Sequence, residues 1–174
     1  MKKKFRQLII AALVLLAVLC LVFIFSNSLK DGVESGEQSM AVKRLLLAVA
    51  DFFGIKGDIE VSVLRNLAHV AEFAMLGLLI GILLIYFARR KYPISQLRYA
   101  VVFMVSIGSG VFFAVVDELL QLGSAGRACE LSDVFLDTAG IFLGNLFASF
   151  CYFVFVKIKK FINKAKKEKI AKNT

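Results

Sequence analysis

DELLQLGSAGRACELSDVFLDTAG, residues 117–140, places five carboxylates and one arginine between two strongly apolar runs. It reads as the end of one helix, a short turn and the start of another. If the flanking runs cross a membrane, the turn lies at one face and the acids gather there. The fold therefore depends on what lies on either side.

Upstream, residues 99–122 are apolar except at their far end, and downstream residues 134–156 form a second such run. Residues 68–87 (AHVAEFAMLGLLIGILLIYF) form a third, and 8–25 are uninterruptedly apolar. Each is long enough to cross the hydrocarbon core. In lipid the backbone must satisfy its own hydrogen bonds, so these segments are predicted to be helices. The mean hydropathy of +0.79 and the 59% share of hydrophobic residues in 174 agree. The prediction is an all-α polytopic bundle of four spans in a single domain, 1–174, ending in a basic tail over 157–174. The start, MKKKFRQLII, imitates a secretory signal, but the apolar run exceeds a usual signal core and no small-residue cleavage site follows. A retained first span is expected.

Basic residues set the orientation. Lys2, Lys3, Lys4 and Arg6 precede the first span. Arg89, Arg90, Lys91 and Arg98 separate the second from the third, and eight lysines from Lys157 to Lys172 follow the fourth. Lys30, Lys43, Arg44, Lys56, Arg65 and Arg127 are all that remain of the 22 lysines and arginines. Both termini are thus predicted to be cytoplasmic. The positive charge is a topological signal without the aromatic or glycine pattern of a nucleic-acid module, so no nucleic-acid partner is expected. The tail also suits anionic lipid. Cys20 and Cys151 read as small buried hydrophobes and Cys129 stands alone in a polar segment, so no disulfide framework is expected.

The one long outer segment, 26–67, holds Ser35 and Gln38 at capping-box spacing. Val42, Leu45, Leu46, Val49, Phe52 and Phe53 follow near helical period, and GIKGD (54–58) breaks the pattern. An amphipathic helix is expected, in the outer interface or capping the bundle.

This orientation gathers the ionisable residues. Arg65, His69 and Glu72 share a face at the outer end of the second span. Asp117, Glu118 and Gln121 close the third, Arg127 and Glu130 lie in the turn, and Asp133 and Asp137 open the fourth. Small residues continue the same stripes inward: Gly110 and Ala114 below Asp117, and Gly140 and Gly144 below Asp137. Gly77 and Gly81 make a further GxxxG on the second span. The expectation is that the third and fourth spans press together below and hold an outward polar pocket above. Glu130 reads as a solvated loop acid and Asp133 as a helix cap. Asp117 and Glu118 sit where the helix dipole disfavours negative charge, and Asp137 lies a full turn inside its span; acids so placed are functional candidates. His69 admits three readings: a charged partner of carboxylates, one half of an acid/base pair, or one ligand of a divalent cation held by mixed oxygen and nitrogen donors.

Three stretches, FSNS (25–28), RNLAHVAEFAMLG (65–77) and DELLQLGSAGRACELSDVFLDTAGIFLG (117–144), resemble the VanZ-like family of small bacterial membrane proteins. The resemblance carries over Arg65, His69 and Glu72, and then Asp117, Glu118, Gln121, Gly126, Arg127, Asp133, Asp137, Gly140 and Gly144. It departs where Ser-Ala precedes Gly126 and where Phe73 stands for a frequent tyrosine. The resemblance implies an envelope protein that lowers sensitivity to lipoglycopeptide antibiotics of the teicoplanin class. The partners then expected are membrane lipid and a lipid-linked cell-wall intermediate or the glycopeptide itself. Beside this stands a membrane-embedded enzyme acting on a lipid-linked headgroup through the His/Asp/Glu cluster. An ion- or proton-coupled transporter is less favoured, because no polar path continues inward.

Overall fold

The computed structural model describes residues 2–89, 95–127 and 130–172, with side chains from 4 to 165 within those ranges. Cys129, Arg90 and Lys91, used above, lie outside the described residues. Among the described residues the chain forms five helices and no strand: α1 (Lys2–Ser28), α2 (Gly32–Phe52), α3 (Val61–Ala88), α4 (Gln96–Leu122) and α5 (Leu131–Lys172). All but α2 are long and apolar enough to cross a membrane. The all-α bundle with four spans and an additional helix is therefore the architecture found.

Local chemistry explains the helix ends. Asp31 caps α2, its carboxylate accepting the Glu34 N–H at 2.8 Å. The cap was expected at Ser35, but Asp31 and Glu34 offer the same three-residue spacing one turn earlier. Ser35 is thereby left free to face the turn before α5. Gly54, at φ +73°, ends α2 in the left-handed region that suits glycine. A Lys43–Asp58 ion pair of 2.7 Å ties α2 to the segment that follows. Ser95 caps α4 through the Arg98 N–H at 3.3 Å. α5 runs well past the apolar stretch, because 157–172 contains good helix formers and neither glycine nor proline.

The most extensive contact joins α3 to α5, with α4 against both and α1 against α3 and α4. This differs from the expected pairing of the third and fourth spans. Glycine explains the difference. A Cβ on Gly77 would meet the Ile141 backbone at 2.5 Å, and one on Gly140 would meet the Val70 carbonyl at 2.5 Å. One on Gly144 would overlap the Ala74 carbonyl outright, and one on Gly81 would stand 2.8 Å from Asn145 Oδ1. Gly140 and Gly144 thus serve the α3–α5 seam, where two backbones meet. Gly110, on α4, makes room for the Ile141 side chain, and Ala114 is fully buried in the same core with Ile24, Phe73 and Leu76. Close packing of this kind is what drives helix association where lipid removes the hydrophobic drive.

At the end of the bundle away from the polar cluster, the Arg89 guanidinium lies 4.9 Å from the Tyr152 ring centroid. Tyr99 stacks on Tyr152 at 6.2 Å. Such aromatic–cation sets fit the headgroup level of a bilayer. α2 buries no residue, and its apolar side chains stay exposed, Phe52 at 84% and Leu45 at 65%. That face is what an interfacial helix presents to lipid.

Candidate functional site

The α3–α5 seam leads directly to the site. Because Gly140 lets α5 press on the Val70 carbonyl, His69 and Asp137 face each other one turn further out. His69 Nδ1 stands 3.3 Å from Asp137 Oδ1, with the histidine side chain 11% exposed and the aspartate 0%. Among the described residues, neither Nδ1 nor either Asp137 oxygen has a partner in hydrogen-bond geometry. Buried polar atoms are rarely left so.

α4 supplies Asp117, also fully buried. Its two oxygens are held by different helices. Ser28 Oγ, at the end of α1, donates to Oδ1, and Gln121 Nε2, one turn along α4, donates to Oδ2 at 2.9 Å. One ligand atom each from His69, Asp117 and Asp137 lie within 4.8 Å of one another. The three helices thus bring one imidazole and two carboxylates to a common point.

Glu118 solves the dipole problem differently. Its Oε2 accepts the Glu130 N–H at 3.0 Å, immediately before α5. A charge disfavoured at the C-terminus of its own helix is thereby carried to the N-terminus of the next, where it is favoured. Asp133 is in the first turn of α5 and 6% exposed, rather than the cap itself. Glu130 is exposed, and its side chain accepts the Ser132 hydroxyl at 3.1 Å. Gly126, at φ +73°, lets the turn pass close to Gly32, whose N–H donates to the Ala125 carbonyl at 3.0 Å.

Arg127 knits the rim. Its Nη1 donates to the Ser28 carbonyl at 3.2 Å and the Asn27 carbonyl at 3.4 Å, and Nη2 to Ser35 Oγ at 2.9 Å. A cation at the C-terminal carbonyls of α1 satisfies orphan acceptors and the dipole together. Burial pushes the Arg127 guanidinium down from its ordinary value, and the nearby Arg65 charge pushes the same way. Arg65 is exposed on α3. Both arginines line an open cleft of about 470 Å³ between α2, α1 and α3, with His69 and Glu72 at its floor.

FSNS contributes more than sequence reasoning assigned it. Asn27 Nδ2 donates to Glu72 Oε1 at 3.0 Å, Lys30 Nζ donates to Asn27 Oδ1 at 2.9 Å, and Ser28 reaches Asp117. The signal was a polar tetrad directly ending an apolar span. Asn145 was also passed over. It is 2% exposed inside α5, its amide donating to the Ile141 carbonyl at 3.0 Å.

Four apolar helices around a buried histidine–carboxylate cluster define a multi-pass membrane protein with a polar site at one end. Residues 12–156 match the VanZ/LLP1 family, and the chain belongs to it. No curated protein and no solved structure matches the chain.

Proposed function

We propose that this is a bacterial envelope protein, with both termini cytoplasmic, whose cleft faces outward and holds the phosphate-bearing head of a lipid-linked molecule. By occupying that molecule it lowers sensitivity to lipoglycopeptides of the teicoplanin class. The observation that carries the reading is the pair of guanidinium groups, Arg65 and Arg127, that line one cleft. Two cations so placed are relieved by an anion, and guanidinium is the group suited to phosphate. A volume of about 470 Å³ suits a headgroup rather than a whole lipid. The exposed apolar face of α2 keeps the cleft at headgroup depth.

Arg65 is the better probe, because Arg127 also holds the ends of α1 and α2 together. In a sensitive Gram-positive host, wild type raises the teicoplanin threshold and leaves vancomycin unchanged. Arg65→Gln at matched membrane level loses that protection, binding its anion roughly 10- to 100-fold more weakly for a lost charge-assisted contact. Protection fully retained in Arg65→Gln rejects the anion-binding cleft, and no protection by wild type rejects the antibiotic role.

A second reading rests on His69 and Asp137, an imidazole and a carboxylate in buried contact beside the cleft. That pair is suited to moving a proton on a headgroup, which makes the protein a membrane enzyme. It requires the extracted lipids of a deletion strain to differ from those of wild type, and His69→Ala to reproduce the deletion.

A further inference from the structure

The strongest unexplained feature adjoins the cleft where His69 lines it. Asp137 is fully buried, and among the described residues both its oxygens lack a hydrogen-bond partner, as does His69 Nδ1 beside it. Leaving such atoms unsatisfied in a span is costly, and an ionised carboxylate there needs a cation. The two arginines are committed to the rim of the cleft. The geometry points to a divalent transition-metal cation of the zinc type, bound by His69 Nδ1, Asp137 and Asp117, with an open position toward the cleft.

Three independent facts agree with this. The first is spacing. Two donors about 2.0–2.2 Å from one ion at a tetrahedral angle lie roughly 3.3–3.6 Å apart, and His69 Nδ1 and Asp137 Oδ1 are 3.3 Å apart. The remaining separations reach up to 4.8 Å, and side-chain rotation must close them by up to roughly 1.2–1.5 Å to reach the same span.

The second fact is charge. A neutral imidazole with two carboxylates carries two negative charges, which a divalent ion cancels.

The third is the outer shell. Ligating carboxylates are characteristically held by further hydrogen bonds that fix their orientation. Asp117 has one on each oxygen, from Ser28 and Gln121, and each oxygen keeps a lone pair for a metal. Asn27 likewise fixes Glu72 beside His69. The donor set of one nitrogen and carboxylate oxygens matches zinc or manganese rather than calcium, which takes six to eight oxygens. His69 is the partly exposed member, so the open position faces the cleft, where the cation would meet a phosphate oxygen. The inference goes beyond the proposed function, because metal binding can be measured whatever occupies the cleft.

The rival is a proton in place of the metal, shared between His69 and Asp137. Tag-free full-length protein in detergent separates the two by elemental analysis, cobalt substitution and thermal unfolding. The expected result is about one zinc or manganese per chain, as for a three-residue site with one open position. Chelation lowers the midpoint of unfolding and added zinc restores it, as binding to the native state alone requires. Cobalt gives visible d–d absorption. His69→Gln and Asp137→Asn each weaken binding by at least about 100-fold, beyond what loss of an outer-shell partner does. Asp51→Asn, an exposed acid on α2, leaves it unchanged. Should either ligand variant fail to fold, the wild-type spectrum and the chelation shift decide by themselves. Wild type without metal, without cobalt absorption, and with the same unfolding midpoint in zinc and in chelator overturns the inference. The trio is then a proton-holding ion pair.

Discussion

Along one seam, α3 and α5 change character within roughly two helical turns. In the inner part, Gly77, Gly81, Gly140 and Gly144 bring the helices close, backbone against backbone at all but Gly81, whose neighbours are Asn145 and Ala148. In the outer part, the same two helices face each other through partly exposed His69 and buried Asp137, 3.3 Å apart. The first region is fully determined by sterics and needs nothing further. The second leaves buried polar atoms without hydrogen-bond partners among the described residues. The two are linked, because a 3.3 Å contact between an imidazole and a carboxylate is available only to helices that already approach this closely. The seam is the device that positions the site.

The largest expected effect comes from breaking the steric half. A Cβ on Gly144 would overlap the Ala74 carbonyl and stand 2.7 Å from the Leu78 nitrogen, backbone atoms that cannot rotate away. Gly144→Ala is expected to destabilise by about 1–3 kcal/mol or more, as overpacking does. It also separates His69 from Asp137. Gly108 is the matched control, a helical glycine on α4 with no atom within 4 Å of a Cβ. Gly108→Ala is expected to be neutral or to stabilise by up to about 1 kcal/mol through helix propensity. Thermal unfolding in detergent and membrane level give opposite signs for the two. Equal destabilisation by both refutes the idea that the seam, rather than helical glycine in general, carries the effect.

This contrast also shows how far the sequence could be read. Four spans were visible because each apolar run exceeds the bilayer thickness, and the acids at one face followed from the distribution of lysine and arginine. The partner of each small-residue stripe was not visible. Gly110 and Ala114 on α4 look as ready for a close backbone contact as Gly77 and Gly81 on α3. What separates them is Ile141, a large side chain that fills the space against Gly110 while its backbone meets Gly77. One residue on a third helix decides the pairing, and spacing within a single helix carries no record of that. Asn27 and Ser28 were hidden for a related reason. Their roles depend on the end of α1 standing beside α3 and α4, which an apolar span does not encode.

A smaller effect sharpens the polar half. Ser28 Oγ is shared between the Ile24 carbonyl at 3.1 Å and Asp117. Ser28→Ala leaves the buried Asp117 with the Gln121 amide alone. A lost partner of a buried charged acceptor costs about 1–3 kcal/mol. If a cation is held at the site, loss of this outer hydrogen bond also weakens zinc binding, by about 10- to 100-fold. Unfolding of Ser28→Ala with and without zinc measures both quantities. Identical stability to wild type means that the Ser28 hydroxyl contributes nothing to holding Asp117.

The smallest effect belongs to the rim, where the Lys43–Asp58 pair ties α2 to the chain entering α3. The Lys43 hydrogen bond holds the Asp58 carboxyl below its ordinary value, with the Ile59 N–H adding to it. A carboxylate depressed in the folded protein contributes stability that is present above its unfolded pKa and lost as pH falls through the lower folded value. The tether is therefore intact at neutral pH and is released only in acid, at or below the ordinary range of aspartate. Because Asp58 is exposed, the effect is local. Hydrogen exchange over residues 50–60 is expected to accelerate between mildly and strongly acidic conditions, once corrected for the intrinsic pH dependence, and Asp58→Asn should show the faster exchange already at neutral pH. Exchange at His69 and Asp137, on the seam, should not respond to Asp58→Asn. If it does, α2 is coupled to the buried cluster, and the division between a rigid seam and a loosely attached outer helix fails.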